Sequence, residues 1–164
     1  MRFVLMGFFF VISLVLESTL FSRLVVAGVK PDLILVLVVL YAMLHGSREG
    51  AVVGFMGGIM QDLLLGRFIG LNALAKLLTG LLFGILEYKI YKESIIIAAA
   101  ALIFGTLWHE SVIWVLGLFA GFSANYFTAL KDIIFPSVVY NSCLAPFIYG
   151  RFYRSSQKGL LKKP

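Results

Sequence analysis

Long apolar segments separated by short polar ones make up most of this chain. Only helices and closed barrels satisfy every backbone polar group within hydrocarbon. Barrel strands would alternate polar and apolar residues over about 10 positions, whereas runs such as Leu33–Leu40 and Ile95–Phe104 are apolar on all sides. The pattern predicts six helices, at Phe3–Phe21, Leu33–Leu44, Gly50–Leu65, Leu71–Tyr88, Ser94–Phe119 and about Ile133–Tyr149.

The second and third segments are short for a bilayer, which needs about 20 apolar residues per helix. They are separated only by Gly46, Ser47, Arg48 and Glu49. One long irregular element remains an alternative, but a single helix would leave Arg48 and Glu49 in the middle of the membrane. We therefore expect two tightly linked helices.

Composition places the protein in lipid. Hydrophobic residues are 61% of the 164 and charged residues 13%, against about 45–50% and about 25% in soluble domains. Such a chain is too apolar for a surface that faces water. We predict an all-α integral membrane protein with six transmembrane helices, formed by one domain at 1–150 and a short basic tail at 151–164.

The basic residues predict the orientation. Cytoplasmic segments carry an excess of Lys and Arg. With the N-terminus inside, nine basic residues lie inside and four outside. The inner set is Arg2, Arg48, Lys89, Lys92, Arg151, Arg154, Lys158, Lys162 and Lys163, and the outer set is Arg23, Lys30, Arg67 and Lys131. Both termini are therefore predicted to be cytoplasmic.

Three other features of the chain have simple interpretations. The first apolar segment is interpreted as an uncleaved helix, because Val15–Thr19 is a poor cleavage site for a signal peptidase. The net charge of +6 is attributed to topology and anionic lipid rather than to nucleic acid, since no soluble domain carries a basic patch. Cys143 is the only cysteine and cannot form an internal disulfide.

The third segment carries glycines at helical spacing. Gly50, Gly54, Gly57 and Gln61 are predicted to share one narrow stripe, flanked by Gly58. Small residues let helix backbones approach closely in lipid, and Gly80 and Gly84 repeat the pattern in the fourth segment. We favour packing within the chain, with a partner-binding face as the alternative.

Ionisable residues within the segments predict a polar cluster. The cluster consists of Glu17, Asp62, Lys76, His109 and Glu110. Four of these residues lie about three to five positions from the middle of their helices, toward the outer face. Such residues usually face the bundle interior or a wet cavity. Our hypothesis is that Asp62 or Glu110 neutralises Lys76, as structural support, with proton or solute handling as the alternative.

Catalytic and metal-binding motifs are absent from the sequence. There is no GxSxG, HExxH or GxxxxGK[ST] segment. The neighbours His109 and Glu110 do not face one ligand together on a helix. We predict no catalytic residues, no cofactor and no metal.

Several motifs together resemble a known family. Pro31-Asp32-Leu33 opens the second helix, and Gly54 to Asp62 reads GFMGGIMQD. Gly70-Leu71-Asn72 follows, and Asn141-Ser142-Cys143-Leu144-Ala145-Pro146 stands near the end. This order and the chain length resemble MreD, the rod shape-determining membrane protein of bacteria. The Trp108-His109-Glu110 segment matches no motif of that family.

The resemblance implies a non-enzymatic component of the cell-elongation machinery. It implies a partnership with MreC, in an assembly that includes RodA, a penicillin-binding transpeptidase and MreB. It also implies a fold similar to the substrate-binding subunits of energy-coupling-factor transporters. On that basis Pro31, Asp32, Gly54, Gly58 and Asp62 shape the bundle core, and Asn141 and Pro146 shape the last helix.

The residues at the start of the second helix also have a physical interpretation. Pro31 suits the first turn of a helix, where its missing N–H costs nothing. Asp32 suits the same end through the helix dipole. This pair is therefore explained without any partner.

Two rival functions remain open at this point. A small-solute carrier subunit would need a polar pocket near the outer face, where the charged cluster is predicted. An intramembrane enzyme is disfavoured because no nucleophile and base can be paired. Ligand binding to the purified protein separates a carrier from a scaffold.

Overall fold

The structure is a computed structural model. It describes residues 2–19, 29–65, 68–86, 94–121 and 125–158, and for residues 2, 3, 145 and 151–158 it describes the backbone alone. The predicted ends of the first and fourth segments, Phe21 and Tyr88, lie outside the described residues, as do positions 159–164 of the tail.

The described residues form six helices and no β-strand. The first five are α1 (Arg2–Thr19), α2 (Leu33–His45), α3 (Ser47–Leu65), α4 (Leu71–Ile85) and α5 (Ile95–Phe119). The sixth is continuous from α6 (Tyr126–Ala129) through a π-helical segment (Leu130–Ile134) into α7 (Phe135–Lys158). The predicted number and type of elements are confirmed.

The break between α2 and α3 lies at one residue. Gly46 has a φ of 94°, a backbone conformation that residues with a Cβ rarely adopt. Two helices rather than one are thus confirmed here. Arg48 is exposed, while the Tyr41 hydroxyl donates a hydrogen bond of 2.8 Å to Glu49.

The sixth helix begins earlier than predicted. The sequence places its start near Ile133 because Lys131 and Asp132 interrupt the apolar pattern. In the structure the helix begins at Tyr126, after Asn125, whose side chain accepts a hydrogen bond from the Phe127 N–H. The π-helical segment then contains both charged residues, and α7 continues to Lys158.

Helix α2 occupies the centre of the bundle. All of its 13 residues are buried, and it packs against α1, α3, α4, α5 and α7. At about 1.5 Å per residue it is about 20 Å long, shorter than the about 30 Å of a hydrocarbon core. Because α2 is this short and buried along its whole length, even its first turn is enclosed by the neighbouring helices.

The outside of the bundle is apolar. Large hydrophobic side chains are exposed on every helix except α2, among them Phe8 on α1, Leu64 on α3, Leu81 on α4, Phe104 on α5 and Phe147 on α7. Two helices, Ile95–Phe119 and Tyr126–Gly150, are long and apolar enough to cross a bilayer. Val4–Thr19, Leu33–His45 and Leu71–Ile85 are shorter apolar helices.

Candidate functional site

Asp32 lies at the N-terminus of the buried helix α2. One carboxylate oxygen, Oδ1, caps the helix by accepting a 2.7 Å hydrogen bond from the Leu35 N–H. The other oxygen, Oδ2, lies 2.5 Å from the ammonium of Lys76. The backbone N–H of Asp32 donates to the side-chain oxygen of Asn141 at 3.0 Å. One residue therefore links α2, α4 and α7.

Lys76 is fully buried and contacts a second partner. Its Nζ lies 3.3 Å from Nε2 of His109 on α5. An ammonium has three donors and no acceptor, so we assign Nε2 as the acceptor of a neutral imidazole and place the ring proton on Nδ1. That Nδ1 is buried without a hydrogen-bond partner.

Two more polar contacts extend this network. The Asn141 side-chain amide donates to the Thr106 hydroxyl on α5 at 3.2 Å. Glu17 of α1 accepts a 2.6 Å hydrogen bond from the Leu33 N–H, the first residue of α2. The buried polar network therefore consists of Glu17, Asp32, Lys76, Thr106, His109 and Asn141, and its members lie on or beside five of the six helices.

The predicted partner of Lys76 was wrong. The structure pairs Lys76 with Asp32 rather than with Asp62 or Glu110. Asp62 instead caps the start of α4, accepting hydrogen bonds from the N–H groups of Gly70, Asn72 and Ala73 and from the Asn72 amide. The N–H groups at the start of a helix have no acceptor within the helix, and they therefore attract a carboxylate.

The remaining members of the predicted cluster do not all meet. Glu17 and His109 join the buried polar network through Leu33 and Lys76. Glu110 turns away into a cavity beside α5, with its Oε1 3.9 Å from Nδ1 of His109. The cluster is thus divided between the network, the α4 cap and this cavity.

The glycine positions pack within the chain, as favoured. A Cβ on Gly50, Gly54 or Gly58 would lie within 3.0 Å of α4 backbone at Gly80, Lys76 and Ala73 respectively. Gly57 does not share that face, since it contacts Ile34 of α2 and Phe10 of α1. The predicted single stripe is therefore corrected to two faces, one toward α4 and one toward α1 and α2.

Three other residues singled out by the motifs have distinct positions. Gly70 has a φ of 112° just before α4, and its N–H is one of those bound by Asp62. Pro31 is buried but precedes the helix rather than lying in its first turn, because Asp32 is the N-cap. Pro146 lies within α7 and is exposed.

Sequence reasoning missed Asp32 as the ion-pair partner and Thr106 as a member of the buried polar network. The available signal was an acidic residue that opens a helix with no other charge along its length. Asp32 was already explained as the cap of α2, so no partner was predicted for its second carboxylate oxygen. Cap and ion pair in fact use different oxygens of the same carboxylate.

The network's chemistry is that of a structural core. Apart from Nδ1 of His109, the polar atoms described above bind one another or a backbone N–H. In the part of the chain that the structure describes, no three His, Cys, Asp or Glu residues come together as a metal site. Polar residues inside an apolar bundle with apolar outer faces are typical of integral membrane proteins. The fold and site thus define a helical membrane-type bundle.

Comparison with known families then identifies the group. The chain matches the rod shape-determining protein MreD family over residues 1–155 and belongs to it. Its role therefore falls within rod shape determination. No curated protein and no solved structure matches the chain.

Proposed function

We propose that this protein is a non-enzymatic membrane scaffold of the bacterial cell-elongation complex. It partners MreC and links peptidoglycan synthesis to the MreB cytoskeleton, in an assembly with RodA and a penicillin-binding transpeptidase. Membership of the MreD family supports the role in cell shape. The structure of the helical bundle supports action as a scaffold.

The observation that carries the proposal is the use of polar side chains inside the bundle. Asp32 and Asn141 bind helices to one another, and Lys76 is fully buried against Asp32 and His109. These polar contacts hold the helices in one arrangement, so that the bundle presents fixed apolar faces to other membrane helices. In lipid, helices associate through close packing and polar contacts rather than through hydrophobic drive.

A solute carrier is less well supported. It would need convergent polar groups in a pocket of about 300–1,000 Å³. The cavity of about 430 Å³ between α4 and α5 is lined by apolar and aromatic residues, such as Phe83, Phe104 and Trp108. The proposed likeness of the fold to energy-coupling-factor substrate subunits does not by itself imply transport.

We place the protein in the bacterial inner membrane as a multi-pass protein with both termini cytoplasmic. The excess of basic residues on the inner side supports this orientation. The buried polar network then lies in the outer half of the membrane, and Arg48 lies at the inner surface.

Depletion of the protein in a rod-shaped cell that depends on it tests the proposal. We expect cells to round before they lyse, and expression of the intact chain to restore rods. Restoration of growth by an added nutrient would contradict the scaffold and favour transport. Tight, stoichiometric binding of a vitamin or metal ion to the purified protein would also contradict it.

A further inference from the structure

A cavity lies between α5 and the sixth helix, and no member of the buried polar network lines it. Its volume is about 210 Å³. Its lining includes Glu110, Ile113, Trp114 and Gly117 from α5 and Ala129 and Ile133 from the sixth helix. The wall on the sixth helix includes the π-helical segment, a local irregularity that occurs frequently at functional sites.

Glu110 is the one charged group of this lining, and among the described residues no Lys or Arg lies within ion-pair distance of its carboxylate. Its side chain is 17% exposed, and the nearest basic group is Nδ1 of His109 at 3.9 Å. That distance exceeds a hydrogen bond. The imidazole is neutral in the tautomer that accepts from Lys76, so it offers no full positive charge.

We propose that the transmembrane helix of a partner protein packs over this cavity and inserts one or two side chains into it, and that a basic residue of that helix pairs with Glu110. A carboxylate at membrane depth requires a cation or a polar partner. The inference deepens the proposed scaffold role, on which it rests, by assigning the surface that meets the MreC-type partner.

The size and depth of the cavity favour a helix over other occupants. The volume of about 210 Å³ is below the about 300–1,000 Å³ of small-molecule pockets and suits one or two side chains. Glu110 lies three residues past the middle of α5, about 4.5 Å along its axis. With that middle at the bilayer midplane, an amine headgroup would be about 10 Å away. The partner's basic residue should lie at the same shallow offset from its own helix centre.

Site-specific photocrosslinking tests this surface in the full-length chain. A benzoylphenylalanine at Ile133, which lines the cavity, is compared with one at Val139, which does not line it. Both side chains are 49% exposed, so the two probes are matched in accessibility. The chain is co-expressed with the MreC-type protein of the same organism. We expect a crosslink to that protein from position 133 and little or none from position 139.

Charge reversal tests the ion pair. We expect Glu110→Lys to reduce co-purification of the partner on the order of thirtyfold or more. A reciprocal change of the partner's basic residue to Glu should restore it. The crosslinking comparison keeps Glu110 and therefore remains decisive if Glu110→Lys fails to accumulate.

The outcomes separate this inference from the proposed function. Co-purification with crosslinks from position 139 alone, or equally from both positions, would overturn the cavity and leave the scaffold intact. Crosslinks from position 133 to lipid or to a second copy of this chain would likewise overturn it. Failure of the intact pair to co-purify would overturn the partnership itself and the inference with it.

Discussion

At the scale of single residues, Lys76 shows what a buried charge requires. Its side chain is fully buried, and withdrawing an ammonium from water costs several kcal/mol unless partners compensate. Asp32 supplies the opposite charge and His109 an acceptor. The Coulomb attraction of the pair is offset by the desolvation of both groups. We therefore infer that the pair contributes to the arrangement of α2 and α4 more than to net stability.

Removal of either partner alone should therefore destabilise the protein strongly. We expect Lys76→Met and Asp32→Asn each to lower the free energy of unfolding by about 3–5 kcal/mol, since each leaves the other group buried and unpaired. Asn retains the ability to cap α2. The double variant should lose less than the sum of the two, by about 0.5–3 kcal/mol, as measured by unfolding in detergent.

Asp62 provides the matched control for this coupling. It shares no hydrogen bond with Lys76 and binds the start of α4 instead. The losses from Lys76→Met and Asp62→Asn should therefore add within about 0.5 kcal/mol. Strong coupling to Asp62 with none to Asp32 would restore the pairing that the sequence favoured and contradict the structure.

At the scale of elements, the pairing of α3 with α4 depends on missing side chains. Gly80 and Gly50 face each other closely enough that a Cβ on either would meet the backbone oxygen of the other. Gly54 faces the backbone carbonyl of Lys76 in the same way. The close approach therefore also positions the lysine that enters the buried polar network.

Gly54→Ala should separate these two helices. Its Cβ would lie within 3.0 Å of backbone atoms at Lys76, which cannot rotate away. We expect a loss of about 1–3 kcal/mol in the free energy of unfolding, as for other overpacked interiors. The control is Gly7→Ala on α1, where nothing lies within 4 Å. Helix propensity should make that change neutral or stabilising by up to about 1 kcal/mol. Equal effects of the two changes would rule out the close α3–α4 contact.

At the scale of the whole molecule, the exposed apolar faces distinguish a lipid-facing surface from a water-facing one. Phe104 is 67% exposed near the middle of α5, and Ile96 is 76% exposed near its start. In water both positions would tolerate arginine. In a bilayer a charge near the helix centre costs about 2.5–3.5 kcal/mol, whereas one near the end reaches the interface.

Phe104→Arg should therefore reduce the amount of protein in the membrane fraction, and Ile96→Arg should leave it nearly unchanged. Quantitative immunoblotting of membrane and soluble fractions measures both. Equal accumulation of the two variants would contradict the lipid-facing surface. A soluble, folded Phe104→Arg protein would do the same.

The number of helices and most of their ends were predictable from sequence because they depend on local properties. Apolar runs need helical hydrogen bonding in lipid, and Gly46 or Ser94 marks a boundary within one or two residues. The start of the sixth helix was not predictable in this way. Lys131 and Asp132 interrupt its apolar pattern, while the Asn125 cap and the π-helical segment continue its backbone.

The sequence by itself determined that this chain is a six-helix membrane-type bundle of the MreD family, with glycines that pack its helices and ionisable residues to be paired inside. Only the tertiary structure decided which groups pair. Asp32 and Lys76 are 44 residues apart in the chain, and no local pattern reports how helices rotate about their axes. The pairing follows from the burial of α2 on all sides, which brings the free oxygen of its capping residue against α4. The orientation of α5 about its own axis likewise places His109 in the network and leaves Glu110 beside a cavity.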